Sequence, residues 1–233
     1  MTGMLSEFDF DVIRRSVSYL FLDGMTFTIT LTTLAGLGGA FLGTLIALIR
    51  LCGLPILPRL AAGYVNLMRS LPLVLVIFWF YFLVPYVGQW VTDSPRPVQV
   101  GPFVSSLVTF VLFEAACFSE IMRAGIQAIP RGQLVAGKAL GLNYLQGARY
   151  VILPQAIRNM LPALLTQTIV LFQDTSLVYV LSITDFLGAA SKVAQRDDRL
   201  VEMYVFVAVV YFAICLAASR FVKLIQTRVA IAR

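Results

Sequence analysis

The sequence contains no histidine, only three cysteines and few charged residues for a chain of 233 residues. Without histidine, the chain cannot build a Ser-His-Asp triad, an imidazole general base or a His-ligated zinc site. Cys52, Cys117 and Cys215 lie far apart in or beside apolar stretches, so neither a disulfide framework nor a CxxC metal site is available. The sequence therefore predicts no catalytic residues, no metal site and no enzymatic activity.

The composition is typical of a membrane protein. Hydrophobic residues make up 59% of the chain and charged residues 13%, with a mean hydropathy of +0.87, and these values lie outside the range of soluble domains. A helix needs about 20 apolar residues to cross a bilayer. The expected fold class is thus an all-α integral membrane protein with five transmembrane helices. These cover residues 27–49, 67–87, 103–121, 161–183 and 201–218.

The basic residues predict the orientation of these helices. If the N-terminus is outside, 12 of the 18 Lys and Arg residues are cytoplasmic, and none of the 12 acidic residues lies in a cytoplasmic segment. We therefore expect residues 1–26 to be an extracytoplasmic segment, residues 27–221 to form one transmembrane domain and residues 222–233 to be a cytoplasmic tail. This distribution explains the net charge of +6 without a nucleic-acid partner.

Small residues and prolines mark particular positions in the spans. Gly39, Gly43 and Ala47 recur every four residues, a pattern that lets another helix approach closely. Packing within the bundle and a dimer interface would both use such a stripe. Pro72 and Pro85 lie near the ends of the second span and fit kinks or helix termini equally well.

The segment of residues 122–158 is longer than a simple connector and carries its own helix signals. A short helix is predicted over residues 132–140, after Pro130. Gly141 is placed to end this helix because glycine adopts the left-handed conformation at low cost.

A second helix is predicted to follow directly in the same segment. Asn143 and Gln146 have the spacing of a capping pair that opens a helix. Leu153-Pro154 is expected to end it. A helix–glycine–helix element of this kind, in a cytoplasmic loop, suits docking on a cytosolic partner.

A phosphate-binding pattern overlaps the first of these two helices. Residues 132–138 match the GxxxxGK part of a P-loop, but the next position, which should supply a hydroxyl to Mg²⁺, is Ala139. No hydrophobic strand precedes Gly132, and five membrane helices leave no room for a nucleotide-binding domain. We expect no cofactor in this chain, so that any ATP must bind to another polypeptide.

The long loop contains Gly132-Gln133, Ala136, Ala139-Leu140-Gly141 and Val151-Ile152-Leu153-Pro154-Gln155-Ala156. These residues resemble the EAA loop of ATP-binding-cassette (ABC) importer permeases. Val135 stands at the position of the family's Glu, Gly137 at that of its second Ala and Val151 at that of its Ile. In that family the loop is the coupling helix, which sits in a groove of a cytosolic ATPase. The resemblance implies this contact for Gly132, Gln133, Val135, Ala136, Gly137, Ala139, Leu140, Gly141, Leu153 and Pro154.

Other segments resemble the polar-amino-acid subfamily of these permeases. They are Tyr64-Val65-Asn66, Arg69-Ser70-Leu71-Pro72-Leu73, Ser119-Glu120-Ile121, Arg123-Ala124-Gly125-Ile126 and Asp174-Thr175-Ser176-Leu177. Residues 172–182 are similar to glutamate/aspartate permeases. The resemblance implies the type I ABC importer permease fold and import of polar amino acids, with glutamate and aspartate favoured, across the bacterial inner membrane. It also implies the partners: a second permease subunit, related or identical, two ATPase subunits that bind ATP and Mg²⁺, and an extracytoplasmic amino-acid-binding protein.

Two carboxylates lie in the third span, where a lone charge is costly. Glu120 precedes Arg123 by three residues, a helical neighbour spacing that predicts a structural ion pair at the cytoplasmic end. Glu114 lies near mid-span, and its six-residue offset turns it about 120° from Glu120 on a helix. The two carboxylates therefore need not share a site.

A polar cluster interrupts the fourth span and is a candidate for the substrate pathway. Asp174 lies near the expected midplane, where transporters often place polar or unwound segments. A helix-capping or interhelical hydrogen-bond network would use the same residues. Arg69 has two possible roles: it would attract an acidic ligand, or it would extend its charged end to the membrane interface. The pathway candidates are Arg69, Glu114, Gln173, Asp174, Thr175 and Ser176.

Two other functional classes compete with an ABC permease. A secondary transporter or channel driven by an ion gradient would explain the carboxylates in the spans, but it would leave the long structured loop unexplained. A membrane enzyme would have only the three carboxylates in the spans, Glu114, Glu120 and Asp174, as catalytic candidates.

Overall fold

The structure, a computed structural model, describes residues 8–229. Within this range the chain is helical and contains no β-strand. π-helical turns at Leu20–Met25, Trp79–Leu83 and Gly147–Ile152 join consecutive helices without a break, and a 3-10 segment covers Thr175–Leu181. The α-helices are α1 (Phe10–Tyr19), α2 (Thr26–Leu51), α3 (Leu57–Ser70), α4 (Leu73–Phe78), α5 (Val84–Thr92), α6 (Pro102–Gln127), α7 (Arg131–Ala139), α8 (Tyr144–Gln146), α9 (Leu153–Asp174), α10 (Phe186–Asp197) and α11 (Leu200–Val229).

Five helical stretches within the described residues are long and apolar enough to cross a membrane, as predicted. They are Phe10–Leu51, Leu73–Thr92, Pro102–Gln127, Tyr144–Leu181 and Leu200–Arg228. Most run beyond their predicted bounds, because counting apolar residues stops at the first polar side chains whereas the backbone hydrogen bonds continue. The expected N-terminal segment is helical from Phe10, and the expected tail is helical to Val229. Residues 1–7 and 230–233 of these two segments lie outside the described range.

The predicted start of the second span, at residue 67, is wrong. Leu71 separates α3 from α4 and has an extended backbone, with φ −102° and ψ 141°. Pro72 explains this break, because a proline disfavours the helical conformation of the residue before it. Pro85 instead follows the π turn Trp79–Leu83, where the Val84 N–H bonds to the Trp79 carbonyl five residues earlier, so the hydrogen-bond ladder is already shifted and the missing N–H does not break the helix. Pro72 therefore marks a helix terminus, and Pro85 is accommodated within a continuous helix.

The described residues divide into two compact units. The first comprises residues 8–34, 74–109 and 170–218. Its core lies where α1 and the π turn after it pack with α10 and the start of α11. The buried apolar residues of this core are Val12, Leu20, Met25, Phe186, Ala189, Ala190, Val193, Ala194, Met203 and Val207.

The second unit comprises residues 35–73, 110–169 and 219–229, and in it α2 packs closely on α6. A Cβ added to Gly39 would lie 2.7 Å from the Cβ of Glu114, and one added to Gly43 would lie 2.9 Å from the Cβ of Phe118. Ala47 continues the same contact in an apolar cluster with Phe118. The stripe of small residues thus packs inside this chain, which is the first of its two predicted uses.

The long loop forms the predicted helix–glycine–helix element. α7 ends just before Gly141, which has a left-handed backbone with φ +85°. The Asn143 side chain accepts a hydrogen bond from the Gln146 N–H at 2.8 Å, and the Gln146 side chain accepts one from the Asn143 N–H at 2.9 Å. The helix end at Gly141 and the capping pair are both confirmed.

The predicted helix end at Leu153-Pro154 is wrong. The helix continues from α8 through the π turn into α9. The Leu153 N–H bonds to the carbonyl of Ala148, five residues earlier, instead of the usual four. Pro154 therefore falls where the regular hydrogen-bond ladder is already shifted, and its missing N–H does not stop the helix.

The close contact between α2 and α6 predicts the effect of a single methyl group. We expect Gly43→Ala to lower the free energy of unfolding by about 1–3 kcal/mol, because the new Cβ overlaps Phe118 and must push the helices apart. The measurement is thermal unfolding of the purified chain in detergent. Gly63→Ala in α3 is the matched control, since its Cβ meets nothing within 4 Å. It should leave stability unchanged or raise it. Equal stability of the two variants would contradict this packing.

Candidate functional site

The loop hairpin, residues 131–152, is held in a fixed shape by two glycines. α7 packs on the π turn, where a Cβ on Gly147 would lie only 3.2 Å from Leu134 Cδ1. The Gly141 N–H donates to the Lys138 carbonyl at 3.0 Å and closes α7. A backbone at φ +85° is accessible to glycine and strained for other residues. The connection between the two helices of the hairpin therefore depends on Gly141.

The loop hairpin carries several exposed apolar side chains. Val135, Leu140, Tyr144 and Leu145 are 65%, 82%, 70% and 76% exposed. Nine of the ten residues predicted to contact an ATPase lie at the surface, namely Gly132, Gln133, Val135, Ala136, Ala139, Leu140, Gly141, Leu153 and Pro154. The tenth, Gly137, is buried and faces Leu142. An exposed apolar surface of this kind is typical of a docking site for another protein.

The loop hairpin adjoins the ends of two membrane helices of the same unit. A largely apolar cavity of about 650 Å³ is lined by residues from α2, α6 and the hairpin. Leu48, Ile126 and Leu134 represent these three elements. Tyr144 and Leu145 also line this cavity, so this side of the hairpin faces α2 and α6, whereas Val135 and Leu140 do not line it.

The predicted ion pair between Glu120 and Arg123 is confirmed, and the structure adds a second cation. Arg123 Nη2 contacts Glu120 Oε1, and Arg50 Nη1 contacts Glu120 Oε2 at 2.6 Å. The three side chains are 11–26% exposed. Arg50 is 70 residues away in the sequence, on α2, so no local spacing could reveal it. This cluster joins the ends of α2 and α6.

Glu114 is fully buried on α6 and lies against α9. Gln167 Nε2 is 3.2 Å from each of the two carboxylate oxygens of Glu114. Sequence analysis did not identify Gln167, because a glutamine in an apolar helix has no spacing signal of its own. The contact is a side-chain hydrogen bond between two membrane helices.

The polar cluster of the fourth span coincides with a change of helix type. α9 ends at Asp174, and the 3-10 segment begins at Thr175. Thr175 is buried and its hydroxyl donates to the Phe172 carbonyl at 2.7 Å, whereas Asp174 and Ser176 are half-buried and Gln173 is exposed. No hydrogen bond to the Asp174 side chain occurs among residues 8–229.

Arg69 is exposed near the end of α3. It belongs to the second unit, as does Glu114, whereas residues 173–176 belong to the first.

These features define a class of transporter subunit. Residues 39–231 match the family described as "Binding-protein-dependent transport system inner membrane component". The chain belongs to this family and is a multi-pass permease subunit of an ABC importer. The family resemblance inferred from the loop motifs is confirmed.

Individual relatives cover nearly the whole chain. The glutamate/aspartate import permease protein GltK of Escherichia coli O157:H7 is 48% identical over 224 residues, which are 96% of this chain and 99% of the relative. The glutamine transport system permease protein GlnP of Escherichia coli K12 is 30% identical and covers 97% of this chain and 99% of its own length.

Solved structures show the same type I importer permease fold. A crystal structure of an amino acid ABC transporter with histidines is 30% identical, covers 94% of this chain and 98% of the solved one, and has a TM-score of 0.84. The methionine ABC transporter MetNI, at 20% identity and a TM-score of 0.65, covers 89% of this chain and 96% of its own and shares the fold.

The ion cluster at Glu120 predicts a test of the contact between α2 and α6. Glu120→Gln leaves Arg50 and Arg123 adjacent and without their carboxylate. Because the cluster is only partly exposed, we expect a loss of about 2 kcal/mol in the free energy of unfolding. The double variant Arg50→Gln with Glu120→Gln should lose less than the sum of the two single variants.

The measurement is thermal unfolding of the purified chain in detergent. Arg196→Gln is the control, because it removes a cation whose side chain is 63% exposed, and its partner Asp197 keeps a second cation, Arg15, at 3.6 Å. This control should leave the unfolding midpoint unchanged. Additive effects of the Arg50 and Glu120 variants would show that the two residues do not interact.

Proposed function

We propose that this chain is an inner-membrane permease subunit for the import of glutamate and aspartate. The observation that supports this substrate class best is the 48% identity, over 96% of the chain, to a permease that is named for the import of glutamate and aspartate. The distribution of basic residues supports an orientation with the N-terminus outside and the loop hairpin in the cytoplasm.

The proposed partners are a second permease subunit, related or identical, two ABC ATPase subunits and an extracytoplasmic amino-acid-binding protein. The family description, which names a binding-protein-dependent system, supports this assembly. ATP and Mg²⁺ would bind to the ATPase subunits. The P-loop-like residues 132–138 lie inside α7, where backbone N–H groups bond within the helix instead of forming a phosphate cradle.

The loop hairpin is proposed as the coupling helix. Its exposed apolar side chains Val135 and Leu140, which do not line the cavity toward α2 and α6, would fill a groove on the ATPase. The residues assigned to this contact are Gly132, Gln133, Val135, Ala136, Ala139, Leu140, Gly141, Leu153 and Pro154, with Gly137 as a packing residue behind them. Because α7 packs on the π turn that leads into α9, a force on the hairpin would reach a membrane helix directly.

The proposed substrate pathway uses the polar residues that the described chain leaves accessible. Gln173, Ser176 and Arg69 are exposed or half-buried and would meet the polar groups of an amino acid. Asp174 is available for the α-ammonium group. Thr175 and Glu114 are fully buried, so we assign them structural roles, in keeping with the bonds of Thr175 to Phe172 and of Glu114 to Gln167.

Substitution of Gly141 tests the coupling role. Gly141→Pro imposes φ near −65° where the backbone has +85°, and it removes the N–H that closes α7. We expect the assembled complex in proteoliposomes to hydrolyse ATP while amino-acid uptake falls at least tenfold, with membrane insertion unchanged. Uptake and ATP hydrolysis are measured in the same vesicles.

Gly63→Ala is the control, because Gly63 lies outside the residues assigned to the ATPase contact and its Cβ meets nothing within 4 Å. It should leave both rates unchanged. Full uptake by Gly141→Pro would count against the coupling role. Uptake by the permease chains without ATPase subunits, driven by an ion gradient, would instead support a secondary transporter.

A further inference from the structure

A polar cavity lies beside α10 in the first unit. Its volume is about 380 Å³, and Tyr179, Ser182, Ser191, Lys192 and Gln195 are among the residues that line it. Pockets for small molecules span about 300–1,000 Å³. The cavity contains none of the residues assigned above to coupling or to the substrate pathway, so it is a separate feature of the chain.

Lys192 is the charged residue among those that line the cavity, and no carboxylate within residues 8–229 forms an ion pair with it. Its Nζ contacts the hydroxyl of Thr184, and it forms no ion pair with another residue in the range 8–229. The neighbouring cations differ in this respect. Arg196 is paired with Asp197 at 2.8 Å, and Arg199 contacts the Glu202 carboxylate at 3.2 Å.

Asp185 lies near Lys192 but does not neutralise it. The carboxyl is fully buried, and its two oxygens accept the N–H groups of Leu187 and Gly188, each at 3.0 Å. Burial raises the pKa of Asp185 to about 7, against a smaller lowering by these N–H groups and by the charge of Lys192. Both oxygens of this carboxyl are engaged by the first turn of α10.

The other polar groups of the cavity are neutral. Gln195 Nε2 and the Tyr204 hydroxyl both bond to Ser191 Oγ, at 3.2 and 3.3 Å, and so fix one wall. Ser182 ends the 3-10 segment with a left-handed backbone, φ +59°, and also lines the cavity. One cation surrounded by hydroxyl and amide groups suits a small anion that also accepts hydrogen bonds.

We propose that this cavity binds a carboxylate of the transported amino acid at the outer face of the permease, with Lys192 as the counter-ion. The proposal rests on the proposed import function, because the outer placement and the substrate class both derive from it. An ammonium–carboxylate contact in a partly enclosed site is a strong, charge-assisted hydrogen bond. The site would hold the amino acid at the entrance before translocation.

The experiment measures glutamate and glutamine binding to the assembled complex of permease and ATPase subunits, in lipid nanodiscs without binding protein, by isothermal titration calorimetry. We expect Lys192→Gln to weaken glutamate binding at least tenfold, which corresponds to about 1.4 kcal/mol. Lys192→Arg should keep most of the affinity. If Lys192 binds the side-chain carboxylate, Lys192→Gln should affect glutamate alone, and if it binds the α-carboxylate, both ligands should weaken equally.

Arg196→Gln is the matched control, since it removes the same charge one turn further along α10, from a residue that does not line the cavity. Its glutamate affinity should stay within twofold of the wild type. The proposal is overturned if Lys192→Gln binds glutamate normally, if Arg196→Gln weakens binding equally, or if the wild-type complex binds no glutamate.

ATP-dependent uptake by the wild-type complex distinguishes a failure of the cavity assignment from a failure of the proposed function. If the wild type imports amino acids and Lys192→Gln binds them normally, only the cavity assignment fails. If the wild type imports none, the proposed function fails and the cavity assignment fails with it.

Discussion

The close contact between α2 and α6 is the constraint on which the second unit depends. Gly39 and Gly43 remove the side chains that would hold the two helices apart. Only at this short distance can Arg50, at the end of α2, reach Glu120 on α6, and the same carboxylate also holds Arg123. In hydrocarbon an unpaired carboxylate costs several kcal/mol by some estimates, so the approach of the backbones and the ion cluster support each other. α7 begins four residues after α6 ends, and the loop hairpin therefore starts from a fixed base.

On its C-terminal side the hairpin continues without a break into a membrane helix. The helix that starts at Tyr144 continues to Leu181 through a π turn, past Pro154, and changes to 3-10 geometry only after Asp174. A helix that ended at Pro154 would place a flexible joint between the docking surface and the membrane. The continuous helix instead makes the exposed side chains of Tyr144 and Leu145 and the polar segment at residues 173–176 parts of one element. The proposed coupling role uses this continuity, because a displacement of the hairpin would act on the same helix.

The residues that sequence analysis identified correctly carry local signals. The capping pair Asn143 and Gln146 and the left-handed Gly141 involve residues only a few positions apart, and the number of spans follows from hydropathy alone. The partners Arg50 and Gln167 escaped prediction because their contacts join residues 70 and 53 positions apart. Helical periodicity shows which face a side chain occupies but does not show which helix lies opposite. The error at Pro154 has a different origin, since a π turn has no composition that distinguishes it from an α-helix.

Lys192 differs from several other charged residues on and near α10, because these have ion-pair partners or, for Asp185, hydrogen bonds to the backbone. Asp197 is matched by Arg196, Glu202 by Arg199, and the buried carboxyl of Asp185 by two backbone N–H groups. A lysine that served only to stabilise this region would be expected to pair with one of these carboxylates, because they lie on the same or the next helix. Lys192 instead contacts a hydroxyl at the edge of a cavity whose other polar groups are neutral. An ammonium group kept without a carboxylate but surrounded by hydrogen-bonding groups is suited to receive one from outside the chain, which is the role that we propose for Lys192.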